Sequence, residues 1–475
     1  MPNKTSRFTS HLSPLTSNVS PLTPHLSRFT FYFSRLTSHL SRLTFHSGFR
    51  RYFANTSWLF VEQILRMLAG FFVGVWIARY LGPEKYGIFS YALAFVAIFQ
   101  GIAKLGLDGI VVRDIVREPE KTYIYLGTSF WLKLVAGIFT FLLIFVISWL
   151  TADTFQTFLF INIIAAGIIF QSFEVVDFYY QATVQAKYIS IRKIIQLVLS
   201  SLIKIYLVLI KADLIWFVLV TLFDAVSMAI FSWLIYKKQK QPEFLKYFDK
   251  FLAKKLIRDS FPLLLSSIAI MIYMRIDQVM IKNMLGDREV GLYSAAAKLV
   301  EIWYFIPTII TSSLFPAIVN AKKVSEELYY QRLNLLFAFL TYISLLISLF
   351  TVFYSKDIIK FLYSEKYLES SAVLSISIWA TIFVYIGVGT SQWLITENLQ
   401  KLSFYRTLYG AIINIILNLL LIPIMQTKGA ALATVISQAI ASYLYLFWNK
   451  KTISLAKFVT FSPFHIFRTK IKGEI

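Results

Sequence analysis

Apolar runs of about twenty residues recur along most of this chain, the length an α-helix needs to cross about 30 Å of hydrocarbon at 1.5 Å per residue. Inside lipid no water is available to the backbone, so every N–H and C=O must be bonded within the segment, and helix is the conformation that does this. Composition agrees. Of the 475 residues 57% are hydrophobic and 15% charged, against about 25% charged in soluble domains. A soluble fold could not hide that much apolar surface. The runs predict about twelve spans, near 58–80, 87–107, 127–150, 155–180, 190–210, 213–236, 257–281, 292–318, 333–354, 371–396, 402–425 and 430–449. Gly82-Pro83, Gly286-Asp287 and Lys428-Gly429 punctuate their ends, and Pro262, Pro307, Pro316 and Pro423 predict kinks. The expected fold class is an all-α membrane protein.

A formal net charge of +22 raises the question of nucleic acid, and the distribution of the charge answers it. With the N-terminus on the cytoplasmic side, that side receives the N-terminal tail, Arg113/Arg117/Lys121, Lys187/Arg192/Lys193, the stretch Lys237 to Arg258, Lys322/Lys323/Arg332 and the C-terminal tail. Together these hold about 32 of the 47 Lys and Arg, against about 8 on the opposite side. Positive charge retained in cytoplasmic loops sets topology, so no nucleic-acid partner is expected and both termini are placed in the cytoplasm. Cysteine is absent, which leaves no disulfide or thiolate chemistry.

A repeat divides the chain. Leu81-Gly82-Pro-Glu-Lys-Tyr-Gly87-Ile88-Phe89-Ser90-Tyr91-Ala92 recurs as Leu285-Gly286-Asp-Arg-Glu-Val-Gly291-Leu292-Tyr293-Ser294-Ala295-Ala296, each copy joining the first two spans of its half. An even number of spans between them puts both copies on one membrane face. Parallel repeats of this kind rock around a central site in transporters. The domain expectation is a tail over 1–57, a six-helix lobe over 58–236, a cytoplasmic amphipathic linker over 237–256, a second six-helix lobe over 257–449 and a basic cytoplasmic tail over 450–475. In the linker, Phe244, Leu245, Phe248, Phe251 and Leu252 fall at helical spacing among Lys246, Lys250, Lys254 and Lys255, the pattern of a helix lying in the headgroup plane. The tail over 1–57 repeats Ser-(Arg/Pro)-(Phe/Leu)-Thr every seven residues, but its prolines and Ser/Thr content disfavour helix and mark low complexity.

Several chemistries are excluded. The chain has no GxxxxGK[ST] for ATP hydrolysis, no HExxH or His/Asp/Cys cluster for a metal, and no GxSxG nucleophile. No cofactor is expected. Outer loops are short; the longest, Ser355 to Ser370, offers Asp357, Glu365 and Glu369 without a histidine or arginine, a weak basis for a membrane glycan polymerase or ligase.

Ionisable residues within the spans remain. Each costs at least about 2.5–3.5 kcal/mol in mid-bilayer and is expected to face the bundle interior. Arg66, Arg275 and Lys298 lie near the middle of the first, seventh and eighth spans, and would form a cationic cavity wall suited to an anion such as a diphosphate. The alternative is neutralised pairs, Glu62–Arg66 at i,i+4 and Lys298–Glu301 at i,i+3. Glu174, Asp177, Asp224 and Asp277 are candidates to bind a proton or sodium. Arg79, Lys104, Asp108 and Lys204, near span ends, are expected to snorkel to the interface.

Ala54-Asn-Thr-Ser-Trp58, Ile77-Ala-Arg-Tyr-Leu-Gly-Pro-Glu-Lys-Tyr-Gly87, Leu105-Gly-Leu-Asp-Gly109 with Arg113, Asp277-Gln-Val-Met-Ile, Gly291-Leu-Tyr-Ser-Ala-Ala-Ala-Lys298 and Asn414…Asn418…Pro423…Gly429-Ala-Ala-Leu-Ala-Thr434 resemble, in order and spacing, the O-antigen (Wzx-type) oligosaccharide flippases. The resemblance covers about 54–450. It implies membership of the multidrug/oligosaccharidyl-lipid/polysaccharide (MOP) exporter superfamily, two six-helix lobes around a cavity (a MATE-like fold), and alternating access. The implied cargo is a polyprenyl-diphosphate-linked glycan crossing a bacterial inner membrane, with other polysaccharide assembly proteins as partners beside the lipid bilayer. In the related lipid II flippases a cation in the helix after the second repeat lies in the cavity, and Lys298 stands at the matching place; Arg66 resembles their first-helix arginine. Some relatives carry fourteen spans, two more than are read here. A cation-coupled multidrug antiporter of the same fold is the alternative, and it would favour acidic cavity residues.

Overall fold

A computed structural model describes residues 47–471, Asn398 and Asn449 apart. Every regular element among the described residues is helical, and each expected span falls on helix. Among the described residues ten helices are long and apolar enough to cross a bilayer, the first of them, Asn55–Arg117, running through two expected spans. The helix Ala186–Leu209 occupies the expected 190–210 span but carries Lys187, Arg192, Lys193 and Lys204, so it falls outside that apolar set. Residues Trp58–Ile475 form one compact unit; of the unit Met1–Ser57, residues 47–57 are described and are helical. The seven-residue recurrence up to 46 lies outside the described residues.

The core is mainly apolar, but it also buries small polar residues, and the surface carries large apolar ones. Thr128, Ser129, Thr140, Thr311, Asn414 and Asn418 are fully buried, whereas Phe72, Trp149, Leu150, Phe353, Phe361 and Ile424 are exposed. That is the distribution a hydrocarbon solvent selects, because small polar side chains satisfy one another between helices while large apolar ones face acyl chains. In the first half, Thr122–Thr151 packs on Phe155–Phe170, which packs on Leu214–Lys238. In the second, Lys250–Leu285 lies along Gln400–Ser442, which also packs on Ala380–Thr396.

Three segments depart from the expectations. The linker forms no separate interfacial helix: 241–249 is without helix, and Lys250 opens the 36-residue helix Lys250–Leu285, capped by Asp249. Phe244 is fully buried among Phe130, Trp233 and Tyr236. The strap is bonded to the first half by Trp131 Nε1 donating to the Leu245 carbonyl (3.0 Å) and the Asp249 N–H donating to Thr128 Oγ1 (3.1 Å). The stretch beyond 449 is not a free tail over its described length; Ile453–Ile471 is helix, packed on Glu326–Tyr363 with Phe458 against Tyr330, and its Leu455, Ala456 and Val459 are buried in the core. The expected outer loop Ser355–Ser370 is largely the end of Glu326–Tyr363 and a short turn at Glu365–Tyr367.

The repeats meet each other. Gly82 (φ 73°) and Gly286 (φ 99°) both take a left-handed backbone that L side chains resist, so each copy turns sharply at the same place. Beyond the turns, a methyl on Gly87 would overlap the Asp287 carbonyl, and one on Gly291 would overlap the Pro83 carbonyl. The contact is reciprocal, because Pro83 and Asp287 are equivalent positions of the two copies. On the same face Lys282 bonds Asp153 (2.7 Å) and Asp287 (2.6 Å), and the Tyr367 hydroxyl donates to the Ala78 carbonyl (2.7 Å). These contacts join the two halves.

Gly87→Ala and Gly291→Ala are each expected to destabilise the detergent-solubilised protein by about 1–3 kcal/mol through overpacking. Gly109→Ala, where a methyl meets nothing within 4 Å, should leave the melting midpoint unchanged. Equal midpoints in all three variants would rule out the reciprocal contact.

Candidate functional site

Four adjoining cavities run through the interior. One of about 340 Å³ lies between the halves, bounded by Tyr86, Ser90 and Gln100 on one side and Arg275, Lys298 and Glu301 on the other. Lys298 also borders a cavity of about 320 Å³ with Gly70, Gly74 and Lys204. Gln100 and Lys204 lead on to a cavity of about 450 Å³ in the first half, lined by Arg66, Glu174, Gln196 and Asp224. Glu301 and Gln278 lead the other way, into a cavity of about 320 Å³ in the second half that contains Asp277 and Arg406.

The three expected cations do not line a single cavity. Arg275 and Lys298 share the one between the halves, and Arg66 lines the neighbouring one. Arg66 is paired with the buried Glu62 (Nε–Oε1 2.7 Å), as the i,i+4 alternative proposed. Glu301 is held by Arg275 at 3.0 and 3.4 Å, not by Lys298. That choice leaves Lys298 without an ion pair or hydrogen bond among the described residues. Its ammonium lies against Gly74, where a methyl would overlap it. The missing side chain at Gly74 in the first half is therefore what admits the cation of the second.

The remaining acids divide by partner. Glu174 pairs with the fully buried Lys133 (2.8 Å), Asp177 with the buried Arg192 (2.5 Å), and Asp224 with Lys204 (2.8 Å) and Gln196 (2.9 Å). Lys204 is thus an interior, paired residue; it does not snorkel, because Asp224 on the adjacent helix is within reach. Asp277 differs from all of these. Its Oδ2 accepts from the Tyr293 hydroxyl (2.6 Å) and Thr434 Oγ1 (2.6 Å), its Oδ1 from Asn418 Nδ2 (2.6 Å), and no cation reaches it. The Asn418 Oδ1 beside it is buried and unsatisfied. Among the described residues no group of three His, Cys, Asp or Glu forms a metal cluster. Arg406 was missed by the sequence reading, since it stands only four residues into an apolar run, where a basic residue reads as part of the loop.

Together, the helical body, its exposed apolar belt and its charged interior define a multi-pass membrane protein with the fold of the MOP superfamily transporters. Solved structures of that fold include the lipid II flippase MurJ in an inward closed conformation, with a TM-score of 0.66 and 16% identity over 87% of this chain and 92% of that one. An inward-facing multidrug resistance MATE family transporter of the MOP superfamily matches with a TM-score of 0.64 and 16% identity, covering 82% and 95%. The chain belongs to the polysaccharide biosynthesis protein family, whose profile matches residues 52–322. The MatE profile matches 262–420. The capsular polysaccharide biosynthesis protein CapF of Staphylococcus aureus is 22% identical over 404 residues, 84% of this chain and 99% of that protein.

Asp177→Asn would leave the Arg192 guanidinium buried without its counter-charge, and removing one partner of such a pair costs about 3–5 kcal/mol. The variant should melt well below the parent in detergent. An unchanged midpoint would show that the pair contributes nothing to folding.

Proposed function

We propose that this protein is a flippase that moves polyprenyl-diphosphate-linked oligosaccharide units from the cytoplasmic to the outer leaflet of a bacterial inner membrane, for O-antigen or other surface polysaccharide. The observation that carries this reading is Lys298, a cation at the seam of the two halves with no acid of its own, in a space left open by Gly74. A buried ammonium without a counter-ion is costly, and a diphosphate entering the cavity would supply one. Arg275 is a second, weaker contributor, because Glu301 already occupies its guanidinium. Arg66 lies further off, neutralised by Glu62.

In this reading the lobes over 58–236 and 257–449 rock about the cavity while the polyprenyl tail stays in lipid. The distribution of positive charge supports cytoplasmic termini; in that orientation the face of the Gly82 and Gly286 turns is the outer one and the Gly87–Gly291 contact closes it. The driving ion binds at Asp277. Of the candidate acids it alone has no basic partner among the described residues, and the open Asn418 Oδ1 offers a second ligand to a sodium ion or a proton carrier. We read the protein as a transporter and not as an enzyme, since the 355–370 segment where a polymerase or ligase would need its catalytic groups is mostly regular helix. A multidrug antiporter of the same fold is the second reading, favoured by the MatE match over 262–420 and by the acid in the second-half cavity.

The test is flipping of a fluorescent polyprenyl-diphosphate oligosaccharide in proteoliposomes. Losing a charge-assisted contact worth about 1.5–3 kcal/mol should slow Lys298→Ala by about 10–100-fold, and Lys298→Arg should retain most of the rate. A full rate in Lys298→Ala would retire the site. Asp277→Asn should lose the response to an imposed sodium or proton gradient. Drug resistance conferred on a sensitised host, without glycan flipping, would favour the antiporter.

A further inference from the structure

The second-half cavity contains a cation that the reading above does not use. Arg406 is 7% exposed and meets no carboxylate among the described residues. Its Nη1 donates to Thr390 Oγ1 (2.7 Å), and its Nη2 to the Gly387 carbonyl (2.9 Å) and to Ser391 Oγ. Every one of these acceptors is neutral. A guanidinium has five N–H donors; three are used, and two have no partner among the described residues. The cavity carries a second donor, the Tyr273 hydroxyl, which is buried beside Ser437 and whose O–H finds no acceptor among the described residues. Of the acids lining this cavity, Glu301 pairs with Arg275 and Asp277 has no basic partner among the described residues, and the Asp277 oxygens are taken by Tyr293, Thr434 and Asn418.

A buried charge is stable when it is paired as well as hydrogen-bonded. Arg406 has the hydrogen bonds and lacks the pair, and its remaining donors belong to a residue that lines a space of about 320 Å³. That volume is at the small end of the range for ligand pockets, about 300–1,000 Å³, and suits one or two sugar rings better than a long glycan. Tyr273 and Tyr304 add aromatic surface to the lining, and Gln438 an amide. The cavity adjoins the one holding Lys298 through Gln278 and Glu301. A glycan whose diphosphate rests at Lys298 would extend its sugars there.

We propose that Arg406 and Tyr273 form a subsite for the carboxylate of an acidic sugar within the transported glycan, so that the protein selects units containing a uronic acid. The proposal rests on the flippase reading and deepens it. Its geometry is separate from the diphosphate site: Arg406 recognises the sugar, Lys298 the lipid head.

The experiment measures binding to the detergent-purified full chain of a glucuronic acid-containing disaccharide, its neutral glucose counterpart and inorganic phosphate. The parent protein should bind the acidic disaccharide at least tenfold more tightly than the neutral one, with phosphate at equal concentration failing to displace it. Arg406→Gln should abolish the preference, Arg406→Lys and Tyr273→Phe should weaken it, and Lys298→Ala should leave it intact. No preference in the parent protein, an undiminished preference in Arg406→Gln, or displacement by phosphate would overturn the assignment. The parent measurement decides the matter should Arg406→Gln fail to fold. Flipping of the lipid-linked carrier is assayed separately, so a parent protein that prefers the acidic sugar but flips nothing would sink the transport reading and leave the subsite standing.

Discussion

Ionised side chains are costly in hydrocarbon, and they are tolerated where another charge, a set of dipoles or a wet cavity receives them. That constraint sorts the interior of this protein. The first half pairs most of its interior charges within itself, Lys133 on Glu174, Arg192 on Asp177, Lys204 on Asp224 and Arg66 on Glu62, while Asp153 reaches across to Lys282. The second half pairs Arg275 with Glu301 and Lys282 with Asp287, and leaves Lys298, Arg406 and Asp277 without a partner of opposite sign among the described residues. Matched pairs fix helices against one another. Unmatched groups facing space are where a ligand gains most, because its arrival removes a penalty the empty protein already carries.

The arrangement also gives each half a distinct part. Gly74 contributes to the first half by what it lacks, leaving room for the Lys298 ammonium. The first half otherwise supplies neutral polar groups to the shared cavity, Tyr86, Ser90 and Gln100. Its charged cavity, already neutral by internal pairing, gives a passing anion little net field.

Span length was legible because it answers to one number, the thickness of hydrocarbon, and a run of apolar residues records it directly. Pairing was not, because partners are chosen in three dimensions. Lys298 and Glu301 stand three residues apart, a spacing that permits a pair, yet Glu301 goes to Arg275, twenty-six residues away on another helix. Asp277 could be picked out as an acid in a span, but its ligands Asn418 and Thr434 lie some 141 and 157 residues further along. The linker misled for a different reason. Aromatic residues interleaved with lysines serve a membrane surface and a protein groove equally well, and Phe244 took the groove. At the C-terminus the three apolar residues that dock Ile453–Ile471 were outweighed by the surrounding basic ones.

Gly87 and Gly291 give a reason why one stretch of internal similarity is still readable across 204 residues. Each copy is the packing surface of the other, so a bulkier residue in either collides with main chain that its own side cannot move. Elsewhere the two halves differ, the first mostly neutral by internal pairing and the second with open charges. Where they touch, a larger side chain in one copy needs a matching change in the other, so each copy sets the shape that its twin must keep.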